Sequence, residues 1–452
     1  MIIYLRHGLR YRIHAVRRGN HLKPSKVCIL GLGYIGLPTA SLLATHGVKV
    51  AGVDINPHII STLQNGSLHI YEPGLDKLVQ KAFQQGSLTV SQQAEPADAF
   101  IIAVPTPFYD DKRADLRAVT AASEAITSHL RQGNLVILES TSPPLTTVKV
   151  VAPILERSGL KAGQDFFLAY SPERVLPGQI LKEIIDNPRV IGGINPASAE
   201  AGSELYRLFV RGEIVLTDAT TAEIVKLMEN TYRDINIAIA NEFSRLAERF
   251  GVDIWEAAAI ANRHPRVKIL RPGPGVGGHC ISVDPWFLVE AAPDLATLIR
   301  AARTVNDSQP QFVMELIHKA VGEPAGKRFA VLGLSFKPNV DDLRESPAIE
   351  VAHLLQQQGA QVQPYEPFRP DAEIPGLALV PSLEAALHGA DVILLLVAHT
   401  QFCQLEPQAV AQMTPARLVF DAVGGLNRQA WRAAGFTFTG LGVKMPQLPD
   451  PC

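Results

Sequence analysis

Short apolar runs alternate along this chain with segments of helical period, and the alternation begins at Lys26. Residues 26–30 (KVCIL) form a compact apolar run that leads into Gly31-Leu32-Gly33-Tyr34-Ile35-Gly36. Residues 37–46 follow at helical spacing, and 49–53 form a second apolar run ending at Asp54. That order predicts strand, helix, strand. Further strands are expected at 99–104 and 135–139, each ending in a polar or proline turn, at 105–107 and 140–143. Residues 220–250 contain neither Pro nor Gly and predict one long helix. The pattern restarts at Arg328, with strands expected at 328–333, 360–364, 391–397 and 418–421 and a helix at 346–358.

These elements predict an α/β chain. Two Rossmann-like, doubly wound parallel-sheet domains are joined by a helical middle domain that carries the long central helix. The expected boundaries are 26–215, 216–315 and 316–452. Residues 1–25 stand apart as a basic leader, with Arg6, Arg10, Arg12, Arg17, Arg18 and Lys23 and no acid. A transit peptide or a nucleic-acid arm would have that charge, but a dispensable leader is expected because the folded pattern starts cleanly at Lys26.

Composition narrows the function classes. The chain has 452 residues, 47% hydrophobic and 19% charged, which fits a globular protein of about three units. A net charge of −2 gives no general attraction to nucleic acid or to an anionic membrane surface. The longest strongly apolar run, 392–398, falls far short of the roughly 18 residues that span a bilayer. Cysteines at 28, 280, 403 and 452 have neither zinc-ligand nor CxxC spacing, so no metal is expected, and the cytoplasm is the expected compartment.

Candidate chemistry sits at the ends of these elements. In the G-x-G-x-x-G run, Gly31 would make the tight turn, Gly33 would let backbone approach a pyrophosphate, and Gly36 would let helix and strand pack closely. Asp54 would bind the ribose hydroxyls and repel a 2′-phosphate, which favours NAD over NADP. Thr106 and Thr141 are placed to line the nicotinamide half of such a pocket, or simply to cap helices. The glycine-dense run 273–278 delivers His279 and Cys280 to the expected start of a helix, where backbone N–H groups would favour the thiolate. Lys226 and Asn230, four apart, share one face of the long helix. Lys337 and Arg344 offer cations to a phosphate, Arg344 just before a helix start.

Three motifs carry a resemblance to a known family. They are Tyr170-Ser171-Pro172-Glu173-Arg174-Val175-Leu176-Pro177-Gly178, Asn262-Arg263-His264-Pro265-Arg266-Val267, and Gly277-Gly278-His279-Cys280 followed by Val283-Asp284-Pro285-Trp286-Phe287. From Lys26 to about Leu441 the chain resembles the nucleotide-sugar 6-dehydrogenases of the UDP-glucose/GDP-mannose dehydrogenase family. The resemblance implies that a primary alcohol at C6 is oxidised to a carboxylate with two NAD. Cys280 would be the nucleophile, and Lys226 and Asn230 would stabilise oxyanions. Asp284 would orient water and tune the lysine, and Glu173 would be general base with Thr141 helping. Tyr34, Ile35, Pro105 and Arg344 would contact the cofactor. Arg174, Val175, Gly277 and Lys337 would contact the substrate, and Arg266 would reach the partner's site in a homodimer.

His279 stands where UDP-glucose enzymes usually have Ser, Pro177 near where they have an acid, and Glu139 where they often have a lysine. The first two departures argue against UDP-glucose and imply a UDP-N-acetylated hexosamine as substrate, and the third marks a subfamily difference. The branch acting on the D-mannosamine epimer, in surface-polysaccharide synthesis, is the nearest in motif, and the D-glucosamine epimer is the alternative. A catalytically silent nucleotide-sugar-binding regulator is the reading from another class, and it would be expected to have lost Cys280, Lys226 or Glu173.

Overall fold

The computed structural model describes residues 24–176 and 178–443, so the leader lies outside the described residues apart from Pro24 and Ser25. Two compact units result: residues 24–105, 117–140 and 145–222 form the first, and residues 106–116, 141–144 and 223–443 the second. Among the described residues no helix is long and apolar enough to cross a membrane.

The first unit holds an eight-stranded sheet. Its strands in chain order are β1 (Lys26–Leu30), β2 (Lys49–Val53), β3 (Leu88–Ser91), β4 (Ala99–Ile102), β5 (Leu135–Leu138), β6 (Phe167–Tyr170), β7 (Arg189–Gly193) and β8 (Ile214–Asp218). They lie in the order β3-β2-β1-β4-β5-β6-β7-β8. β1 pairs with β2 on one side and β4 on the other, both parallel, so the strand order reverses there and opens a crevice beyond the strand ends. Residues 27–30 of β1 are all buried, which is why this strand reads as a continuous apolar run and not as an alternation.

One feature departs from the wholly parallel sheet expected. β6 and β7 run antiparallel, joined through Ala169–Gly193 and Tyr170–Gly192, and β8 then resumes parallel to β7. β3, β6, β7 and β8 also escaped the sequence pattern. β3 (LTVS) alternates buried and exposed positions over only four residues, and β8 is largely exposed.

The second unit holds β9 (Arg328–Leu332), β10 (Gln361–Tyr365), β11 (Val392–Leu395), β12 (Leu418–Asp421) and β13 (Thr437–Gly440), in the order β10-β9-β11-β12-β13. All pairings are parallel. Alternate residues of β9 enter two different cores: Phe329 and Val331 pack with Leu355 and Phe420, whereas Ala330 and Leu332 pack with Phe402 and Trp431. A sheet covered on both faces needs apolar residues at every position, which explains the unbroken run. The long helix spans Ala219–Phe250, within a residue of expectation, and the boundary between the units falls in its first turn.

Candidate active site

The first unit offers a dinucleotide cradle. Gly31 has φ +95°, and a Cβ there would lie 2.4 Å from the Ala103 carbonyl oxygen. A Cβ on Gly36 would lie 1.8 Å from the Gly31 carbonyl oxygen, so neither position admits a side chain. Gly33 differs: nothing stands within 4 Å of the Cβ position, which leaves backbone open to an approaching pyrophosphate. Tyr34 and Ile35 complete the turn, and the helix Gly36–Thr45 begins directly after Ile35. Asp54 Oδ2 accepts from Leu32 N at 3.0 Å and Oδ1 from Asn56 N at 2.9 Å. The carboxylate is thus fixed at the end of β2 beside the glycine loop. Pro105 follows β4 at the edge of this unit.

Glu173 lies in the segment after β6. Its Oε1 accepts from Arg174 N at 2.7 Å, and its Oε2 meets the guanidinium of Arg189 on β7. Arg189 also donates to Glu139 Oε1 from Nη1 and Nη2, at 3.2 and 3.1 Å, and to Ser171 Oγ at 3.3 Å. The Tyr206 ring lies 3.9 Å from the guanidinium carbon, and its hydroxyl donates to Glu139 Oε1 at 2.9 Å. Burial pushes the Glu139 carboxyl up to about 7 against the pull of Arg189, with Glu173 adding to the rise. Arg174 donates to the Pro188 carbonyl, and Val175 packs on the core of the unit. Glu72 ties down the rest of the loop, accepting from Gly178 N at 2.7 Å and Ile180 N at 2.8 Å. Sequence reasoning missed Glu72, Arg189 and Tyr206. No spacing signal marks them, because each meets its partners across the fold.

The second unit holds the thiol and its neighbours. The turn before Cys280 is glycine-rich for reasons of packing: a Cβ on Gly277 would lie 2.3 Å from the Glu345 carbonyl oxygen, and one on Gly278 would meet the Phe336 ring at 2.9 Å. Gly278 N donates to the Arg344 carbonyl at 3.0 Å. The expected placement of Cys280 at a helix start is corrected. The regular helix is Asp284–Ala291, so Cys280 lies one turn ahead of it. Its own carbonyl accepts from Val283 N at 3.1 Å and Asp284 N at 2.8 Å. The helix-start argument for the thiolate falls with it. Burial, and next the Asp284 charge, push the thiol up to about 11, opposed by Lys226 and Arg344.

Lys226 is buried on the long helix with 7% exposure, as the apolar neighbourhood predicted. Asn230, one turn on, donates to Asp284 Oδ2 at 2.6 Å. Burial lifts the Asp284 carboxyl to about 6, with Lys226 and Asn230 holding it down. Lysine, amide and carboxylate expected to act together are therefore assembled in one unit with Cys280. His279 lies with its side chain 45% exposed and its Nδ1 3.7 Å from Asp342 Oδ2. Partial desolvation and then the Arg344 cation push its imidazole below its ordinary value. Arg344 grips Asp342 through Nε at 2.9 Å and Nη2 at 2.6 Å, just ahead of the helix Pro347–Gln357. Lys337 Nζ stands 5.5 Å from the Phe336 ring centroid.

Thr106 donates its hydroxyl to the Thr141 carbonyl at 2.5 Å, which joins the two polar turns that the sequence singled out. Arg266 is exposed on a loop that Asn262 clamps from both sides, donating to the Ile269 carbonyl at 3.0 Å and accepting from Ile269 N at 2.6 Å.

Models of the UDP-glucose/GDP-mannose dehydrogenase family match three stretches of the chain: the NAD binding domain over residues 25–210, the central domain over 220–308 and the UDP binding domain over 330–428. An NDP-N-acetyl-D-galactosaminuronic acid dehydrogenase of Ralstonia nicotianae is 49% identical, covering 88% of this chain and 95% of its own. A UDP-N-acetyl-D-mannosamine dehydrogenase of Methanocaldococcus jannaschii is 46% identical, covering 92% and 96%. The solved UDP-D-ManNAc dehydrogenase of Pyrococcus horikoshii superposes with a TM-score of 0.86 at 40% identity, covering 93% and 99%.

Proposed function

Because the chain belongs to the UDP-glucose/GDP-mannose dehydrogenase family, with its NAD-binding and UDP-binding domains, we propose that it oxidises UDP-N-acetyl-D-mannosamine at C6 to the uronate. The observation that carries the chemistry is the set of Lys226 and Asp284, both buried, with half-buried Asn230, around Cys280. The epimer rests on the three sequence motifs and on the mannosamine-specific relatives.

Overall, the primary alcohol, two NAD⁺ and water become the carboxylate, two NADH and three protons. Bound NAD supplies the electron acceptor for each oxidation. Lys226 and Asn230 donate to the C6 oxygen as it gains negative charge. The Cys280 sulfur bonds to the aldehyde carbon while the thiol proton passes to the aldehyde oxygen, giving a thiohemiacetal that cannot diffuse away. The second oxidation leaves a thioester. Glu173 takes a proton from the hydrolytic water, whose oxygen attacks the acyl carbon. The carbon–sulfur bond then breaks and Cys280 regains a proton. Thr141 helps to position that water. Arg344 serves the cofactor phosphates, and Lys337, Arg174, Val175 and Gly277 serve the UDP-sugar.

The long helix carries exposed Met228, Tyr232, Ile239, Phe243, Leu246 and Phe250 along one stripe. A stripe that apolar on a soluble fold favours a second copy of the chain as its cover, so the enzyme is assigned as a homodimer with Arg266 serving the partner's site. We assign the domains as 26–215 for NAD, 216–315 for dimerisation and the cysteine loop, and 316–452 for the UDP-sugar. The setting is the cytoplasm and the pathway surface-polysaccharide synthesis.

A second reading keeps the chemistry and changes the epimer, since the Ralstonia relative is named for an N-acetyl-D-galactosamine-derived acid. Product mass and NADH yield, measured side by side on the UDP-linked manno, gluco and galacto N-acetylhexosamines, decide. Fastest turnover of the manno epimer with two NADH per sugar is expected. One NADH per sugar, or a free aldehyde, overturns the thioester route; faster turnover of another epimer moves the substrate.

A further inference from the structure

Glu139 and Arg189 are unexplained by the chemistry above, yet both are buried beside Glu173. Arg189 is 4% exposed and the Glu139 side chain fully buried. Charges this deep are costly, and a pair kept only for stability is often no better than apolar residues of the same volume. The cluster is also unbalanced, because two carboxylates share one guanidinium. Glu139 Oε2 has no hydrogen-bond partner although it is shut away from water. The Ser171 hydroxyl accepts from Arg189, and the Tyr206 hydroxyl donates to Glu139 Oε1 with its ring against the guanidinium.

We propose that Arg189 is a positioning residue for Glu173, holding its carboxylate in place and coupling its proton affinity to the charge on Glu139. The proposal rests on the reading of Glu173 as the hydrolytic base. The guanidinium is a planar fork whose Nη2 reaches both carboxylates, a geometry that a lysine ammonium does not reproduce. The charged and titratable groups facing Glu139 are Arg189 from β7, Glu173 from the segment after β6 and Tyr206 from the end of the helix Pro196–Tyr206. When Glu139 ionises, it shares more of the Arg189 charge and adds a negative neighbour to Glu173, and both effects make Glu173 the stronger base. With Glu139 protonating at about 7, the hydrolytic step should accelerate as pH rises through neutrality.

The test follows the acyl-enzyme on Cys280 by intact-protein mass, together with kcat, KM and their pH profiles, in Arg189→Lys, Glu139→Gln and Glu173→Gln. Arg189→Lys is expected to lower kcat about 100-fold, as mispositioned groups do, with acyl-enzyme accumulating and KM for the UDP-sugar little changed. Glu139→Gln, which mimics the protonated acid, should hold hydrolysis at its low-pH rate and lose the rise near neutral pH. Acyl-enzyme in Glu173→Gln but not in Arg189→Lys overturns the positioning role alone. An unchanged pH profile in Glu139→Gln overturns the coupling. Normal hydrolysis in Glu173→Gln removes the base assignment and the proposal with it.

Discussion

A thiol at about 11 makes a strong demand on the reactivity of Cys280 in the free protein. At pH 8 only about one molecule in a thousand would carry the thiolate, against roughly a quarter for an ordinary cysteine near 8.5. The rarer thiolate is intrinsically the better nucleophile, with a Brønsted slope of about 0.4–0.5, which recovers roughly 13-fold of that deficit of about 240-fold. Alkylation at Cys280 should therefore run about 20-fold slower than at an unperturbed thiol. The assay is the rate of iodoacetamide labelling between pH 6 and 11, read on the Cys280 peptide because exposed Cys403 reacts independently. The rate should still be climbing at pH 10. Asp284→Asn removes the second-largest cause of the rise and should move the profile to lower pH. Lys226→Met removes an opposing cation and should move it higher. A plateau below pH 8 in the unmodified protein would refute the reasoning and restore the helix-start thiolate. An unmoved profile in Asp284→Asn would show that its charge is not felt at the sulfur.

Gly36→Ala places a methyl 1.8 Å from the Gly31 carbonyl, so the loop must shift by more than an ångström. A loss of about 1–3 kcal/mol in thermal stability is expected, with NADH binding, followed by fluorescence quenching, lost beyond that; retained affinity would show that the loop can reshape freely. Lys226→Met should lower kcat by about 100- to 1000-fold, as for loss of one oxyanion donor, while UDP-sugar binding by calorimetry survives; loss of binding with unchanged kcat would make Lys226 a binding residue only.

What the sequence disclosed follows how local the cause is. β1, β2, β9 and β12 were legible because both faces are buried, and the long helix because nothing interrupts it. The glycine loop and Asp54 were legible because a phosphate turn needs its residues at fixed offsets. β7 was hidden because it opens on Arg189 and closes on Gly192-Gly193, and its direction depends on a pairing with β6 that no local pattern encodes. The environment of Cys280 failed for a related reason. Glycines 277 and 278 are there to fit against Glu345 and Phe336, far along the chain, and not to start a helix. Glu139 was noticed only as a departure from a pattern; its partners Arg189 and Tyr206 lie 50 and 67 residues away.

Asp54 has a consequence for redesign. Its two oxygens already hold Leu32 N and Asn56 N, so the carboxylate that would reject a 2′-phosphate also braces the loop on which the pyrophosphate would rest. If Asp54 sets the cofactor preference, that preference and loop rigidity are vested in one side chain. Exchanging Asp54 for a small neutral residue, the obvious route to an enzyme that accepts NADP, removes the discrimination and the brace together. Any conversion must therefore supply new acceptors for those two amides before a new cation for the phosphate can improve binding.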